Sequence, residues 1–110
     1  MKKILVVDDN RDALELLVML LELHGFETRG AGPADHPEQV MREWQPDVLL
    51  TDLNMPGMPG NVLSQLAVQA VPGILRIGIS GVSQDILDRA LGAGHFDIAM
   101  QKPIDVDALA

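Results

Sequence analysis

Four apolar stretches of this chain break off at polar residues of a restricted set. Asp8 and Asp9 follow the run over 4–7, Asp52 follows 48–51, Ser80 follows 74–79, and Lys102 closes the stretch that starts at 96. Capping or solvation accounts for any one of these on its own; four alike point to a shared site. Three carboxylates held about 5 Å apart repel one another by on the order of 3 kcal/mol per pair at an effective dielectric near 20. A single lysine does not cancel that. A hard divalent cation does, and carboxylate oxygens with a backbone carbonyl and waters are a usual donor set for Mg²⁺. Such a site, left open on one side, is suited to an incoming phosphoryl group. Asp52 is then the candidate nucleophile, the cation and the Lys102 ammonium neutralise charge on the equatorial oxygens, and Ser80 donates a hydrogen bond to one of them.

For that chemistry the runs must be parallel strands ending at one edge. The stretch 4–7 is continuously apolar and rich in β-branched residues, as expected of a strand buried on both faces. Asn10 is placed to cap a helix in which Leu14, Leu17, Val18 and Leu21 share a face, and Gly25 follows as a left-handed stop. Leu16, Met19, Leu20 and Leu23 widen that helix's apolar surface beyond one stripe. A short strand over 26–31, a helix over about 38–44 ended by Pro46, and a strand over 48–51 come next. A third helix fits 61–70, closed by Pro72 and Gly73, before a strand over 74–79. Ser83 can cap a fourth helix through Ile86, Leu87, Ala90 and Leu91, broken by Gly92 and Gly94. A weaker strand spans 96–100, and 104–110 has room for about two helical turns. Strands alternating with helices predict a parallel sheet covered on both faces, with ligands at the carboxyl ends of the strands.

The 110 residues suit one domain spanning 1–110, and 47% hydrophobic residues with a mean hydropathy of +0.16 are enough for a core. With no cysteine, disulfides, thiolate metal sites and cysteine nucleophiles are excluded. The formal charge of -8 disfavours direct binding to nucleic acid or anionic lipid. Two aspartates interrupt the N-terminal apolar run before a signal-peptide core develops, and no stretch approaches the roughly 18 apolar residues of a membrane span. A cytoplasmic, soluble protein is expected.

The segments ILVVDDN and DVLLTDLNMPGMPG, with Ser80-Gly81 and Lys102-Pro103, stand in the order and spacing of a known family. The chain resembles the receiver domains of two-component response regulators over nearly its whole length. That resemblance implies an α/β, flavodoxin-like, doubly wound five-stranded parallel sheet of order 2-1-3-4-5, here with a truncated last helix. It also implies that Asp52 accepts a phosphoryl group from the phosphohistidine of a histidine kinase or phosphotransfer protein. Asp8, Asp9, Asp52 and the carbonyl of Asn54 are then arranged around Mg²⁺, for which Mn²⁺ can substitute. Ser80 follows the phosphate, Lys102 pairs with it, and the interaction surface of the domain switches. Such a domain is a phosphoacceptor rather than an enzyme, apart from self-phosphotransfer and autodephosphorylation.

Two features depart from the family pattern. Ala99 stands three residues before the lysine, where the family usually has Tyr or Phe, so no aromatic rotamer switch is expected. The last helix, normally several turns long, would end at Ala110, leaving the extra leucines of the first helix uncovered and favouring self-association, as a homodimer, or aggregation. Two other functions fit these residues less well. An aspartate-nucleophile phosphohydrolase needs a second acid two positions after the nucleophile, where Asn54 stands. A degenerate receiver acting only as a protein-binding module is disfavoured by the intact set Asp8, Asp9, Asp52, Ser80 and Lys102. His24, His36 and His95 share no ligand spacing, and Trp44 is read as packing at a helix end.

Overall fold

The computed structural model describes residues 2–52, 60–80 and 96–101. The expected fourth helix, the last helix, and the positions of Asn54 and Lys102 lie outside these described residues.

Strand β1 (Lys3–Val7) lies between β2 (Glu27–Ala31) and β3 (Val48–Asp52) in a parallel sheet completed by β4 (Leu75–Ser80) and β5 (Ile98–Gln101). The order is β2-β1-β3-β4-β5, with every pairing parallel. This is the flavodoxin-like order expected from the resemblance. The all-apolar runs of β1 and β3 have helices on both sides, which is why neither alternates. On one face Ile4, Val6, Val48, Leu50, Ile77 and Ile79 pack with Leu14 and Leu21 of helix α1 (Arg11–Leu23). On the other, Leu5, Val7 and Leu49 meet Met41 and Trp44 of helix α2 (Pro37–Trp44) and Leu63 and Ala67 of helix α3 (Gly60–Ala70). Fully burying a leucine of this kind contributes about 1.5–3 kcal/mol.

Local signals set the helix ends. Asn10 caps α1, its side-chain oxygen accepting from the N–H groups of Asp12 at 3.1 Å and Ala13 at 3.2 Å. Past the other end of α1, Gly25 adopts φ 91°, a conformation that glycine takes without strain. Helix α2 starts one residue before the sequence-based boundary, with Pro37 in its first turn. It ends at Gln45, which holds φ 54° despite having a side chain. That side-chain amide reaches the carbonyls of Met41 at 3.2 Å, Arg42 at 3.1 Å and, in α3, Ala70 at 3.1 Å, joining the carboxyl ends of both helices.

The strands differ slightly from the expected ranges. Ile74 packs in the core just before β4, and Phe96 is buried two residues ahead of β5 rather than lying in it. Asp52 and Ser80 are the last residues of β3 and β4, not the first beyond them, because Asp52 still pairs with Ile79 and Ser80 with Gln101.

Candidate functional site

The carboxyl ends of β1 and β3 are neighbours at the centre of the sheet, and there the chain turns to opposite faces, into α1 after β1 and toward α3 after β3. This is the switch point, where open α/β sheets take their ligands. Asp8 and Asp9 leave β1 there and Asp52 ends β3. Their carboxylates can each offer one oxygen such that all three atoms lie within 4.8 Å of one another. Asp8 is 2% and Asp52 8% exposed, whereas Asp9 faces solvent. Two walls and one open carboxylate give a site with one accessible side.

Asp8 is held by its own turn. Its Oδ1 accepts the N–H of Asn10 at 3.0 Å, and its N–H donates to the carbonyl of Ala31 in β2 at 3.3 Å. Asn10 thus has two functions: its side chain starts α1, and its backbone orients the Asp8 carboxylate. The sequence marked Asn10 only as a cap, although the spacing of two between Asp8 and Asn10 is that of an Asx turn. Behind the nucleophile candidate, fully buried Thr51 donates its hydroxyl to the carbonyl of Asp52 at 3.1 Å. At the same edge, Asp35 accepts from the N–H of Gly32 at 2.7 Å and lies 3.5 Å from the Arg11 guanidinium, tying the β2–α2 connection to the start of α1.

The donor set is carboxylate oxygen throughout, drawn from adjacent strands. Its chemistry fits a hard divalent cation such as Mg²⁺, which prefers oxygen and keeps waters in its shell. Of the residues singled out from the sequence, Asp8, Asp9 and Asp52 come together. The backbone of Ser80 ends β4, next to β3, on the same edge. Gln101 pairs with Ser80, so β5 ends at that edge as well.

A doubly wound sheet of this order with a carboxylate cluster at its switch point defines the class of flavodoxin-like acidic-site proteins. Within that class, the chain belongs to the response regulator receiver domain family, whose family model matches residues 4–110. It is 36% identical over 115 residues to the virulence sensor protein BvgS of Bordetella pertussis, covering 97% of this chain and 9% of BvgS. It is 30% identical over 109 residues to the DNA-binding response regulator MtrA of Mycolicibacterium paratuberculosis, covering 97% of this chain and 48% of MtrA. The chain thus spans less than half the length of these relatives. Among solved structures, a response regulator receiver domain protein from Clostridium thermocellum superposes with a TM-score of 0.86 at 26% identity, covering 99% of this chain and 88% of that one. The chain is therefore a receiver domain of two-component signalling, as the resemblance implied. Among the described residues, no helix is long and apolar enough to cross a membrane.

Proposed function

We propose that this domain accepts a phosphoryl group on Asp52 from the phosphohistidine of a histidine kinase or phosphotransfer protein, and that the transfer requires Mg²⁺. The observation that carries this reading is the meeting of the Asp8, Asp9 and Asp52 oxygens within 4.8 Å. In the transfer, an Asp52 carboxylate oxygen forms the new P–O bond as the donor's P–N bond breaks. The departing imidazole keeps the electron pair and a proton. Asp8, Asp9 and Asp52, with the carbonyl of Asn54, are the residues that would hold the cation. A bound Mg²⁺ supplies neutralising charge for the phosphoryl oxygens, and Mn²⁺ supplies the same. Lys102 pairs with the transferred group and Ser80 hydrogen-bonds it, altering the interaction surface. The chain is a phosphoacceptor that works once per phosphoryl group rather than an enzyme turning over a separate substrate. Its setting is cytoplasmic, with a kinase or phosphotransfer protein as partner and no direct contact with nucleic acid or membrane.

Intact mass after incubation with Mg²⁺ and a small acyl phosphate tests this. The parent chain is expected to gain one phosphate and the Asp52→Asn chain none. Sustained turnover of a phosphate ester would instead mark an aspartate-nucleophile phosphohydrolase. A parent that never forms an adduct would mark a degenerate receiver serving as a binding module. A homodimer is supported by one observation: Leu16, Met19 and Leu23 of α1 are more than half exposed, at 55%, 56% and 75%.

A further inference from the structure

We propose that Arg76 and Asp97 form a register clamp at the foot of the sheet, and that through it they act as positioning residues for the chemistry at Asp52. This rests on the phosphoacceptor reading above. Strand β5 is an edge strand of four residues, paired among the described residues with β4 alone. Its register runs from Ile77 opposite Ile98 to Ser80 opposite Gln101, and Lys102 follows Gln101 in the chain. A slip of one residue would move every β5 side chain to the opposite face and carry Lys102 with it. The sequence of β5, Ile-Ala-Met-Gln, has too little alternation to define its own register.

The clamp lies just below the first pair of this ladder. Asp97 donates its N–H to the carbonyl of Arg76 at 2.8 Å, and its Oδ2 accepts the N–H of Arg76 at 2.9 Å. The guanidinium Nε of Arg76 lies 3.5 Å from the same oxygen. Its Nη1 donates to Ser64 Oγ at 3.1 Å, and Ser64 is fully buried in α3. One arginine therefore ties β4, which ends at Ser80, to the start of β5 and to α3, the next described element after β3 in the chain.

Its position in the sheet is informative. Arg76 pairs with Leu49 of β3, so it occupies the face where Leu5, Leu49, Leu63 and Ala67 pack, and its side chain is only 18% exposed. An apolar residue would satisfy this position without any partner. Its partner Asp97 keeps its side chain 42% exposed, so the pair contributes little net stability, and the best-attested use of a charge pair withdrawn on one side from water is in fixing register. Edge strands that are short and weakly patterned need such a device.

The test measures the initial rate of phosphate gain from an acyl phosphate, Mg²⁺ affinity from the melting-temperature shift, and both again in a Lys102→Ala background. Asp97→Ala is expected to lower the rate on the order of tenfold or more, as small misplacements of reacting groups do. Mg²⁺ affinity should stay at the parent value, because Asp8, Asp9 and Asp52 lie on β1 and β3. In the Lys102→Ala background the same substitution should cause no further loss. Asp97→Asn, whose side-chain oxygen still accepts from the Arg76 N–H, should lose less. The double variant Arg76→Met with Asp97→Leu should fold as stably as the parent and still be slow. Unchanged rates, rate and metal affinity falling together, or equal losses in both lysine backgrounds would each overturn the clamp. A parent that responds to Mg²⁺ but gains no phosphate would overturn the phosphoacceptor reading itself, and the clamp's role with it.

Discussion

The two ends of the sheet are built on opposite electrostatic plans. At the carboxyl rim, three like charges converge within 4.8 Å, two of them largely buried. At the foot, charged side chains are instead taken up by backbone groups, an indole face and one ion pair. Asp47 accepts the N–H of Lys3 at 2.9 Å, and Lys3 Nζ donates to the carbonyl of Trp44 at 3.2 Å. Lys3 Nζ and the Arg29 guanidinium carbon lie 5.7 Å and 4.8 Å from the Trp44 ring centroid. Arg76 and Asp97 complete the row. Mutual repulsion at the rim lowers the stability of the apo fold while favouring any cation or charge-relieving modification there; the foot gains its stability mainly from the buried Trp44 indole and the cations on its face. The fold tolerates the first because of the second.

The strongest challenge to this contrast is at the foot. Trp44→Ala removes an indole only 9% exposed, and with it the cation contacts, and is expected to cost about 3–5 kcal/mol in urea unfolding followed by circular dichroism. A cost under about 1 kcal/mol, the size of an ordinary surface change, would break the division of labour. At the rim the sign should reverse. Without divalent cation, Asp9→Ala relieves repulsion and should raise the melting temperature. In the parent, Mg²⁺ at ten times its dissociation constant should add about 1.4 kcal/mol, a rise of roughly 5–10 °C, and Asp9→Ala should erase that response. A parent indifferent to Mg²⁺ would remove the cation from the account. The smallest effect is expected from Leu16→Glu combined with Leu23→Lys, which should change stability by within about 0.5 kcal/mol. Light scattering should show the parent associating at high concentration and this variant monomeric; a cleanly monomeric parent would end the homodimer reading.

The sequence made the rim legible because its logic is local. A β-branched run that stops at an aspartate is visible in one dimension, and parallel strands bring such stops to one edge without further information. Helix α1 was legible for the same reason, through Asn10 and Gly25. What stayed hidden depended on partners distant in the chain. Position 45 gave no sign of a left-handed backbone, since the bond to Ala70 that accompanies it comes from another helix. The extra apolar residues of α1 could not be sorted by periodicity alone. Leu20 packs against the core while Leu16, Met19 and Leu23 do not. The last ladder pairs of β3 and β4 extend to Asp52 and Ser80 because neighbouring strands reach that far. Arg76 reads as a polar interruption of an apolar strand until Ser64 and Asp97 are seen beside it.

The placement of Trp44 has a practical consequence. It is the only tryptophan in the chain, shielded from water and seated where the strands begin, with the length of the sheet between it and the aspartates. Its intrinsic fluorescence is therefore a witness to whether the molecule is folded and a poor witness to whether the far rim is occupied. An optical assay of occupancy would need a reporter introduced near α1's first turn, leaving the native indole as an internal control in the same sample.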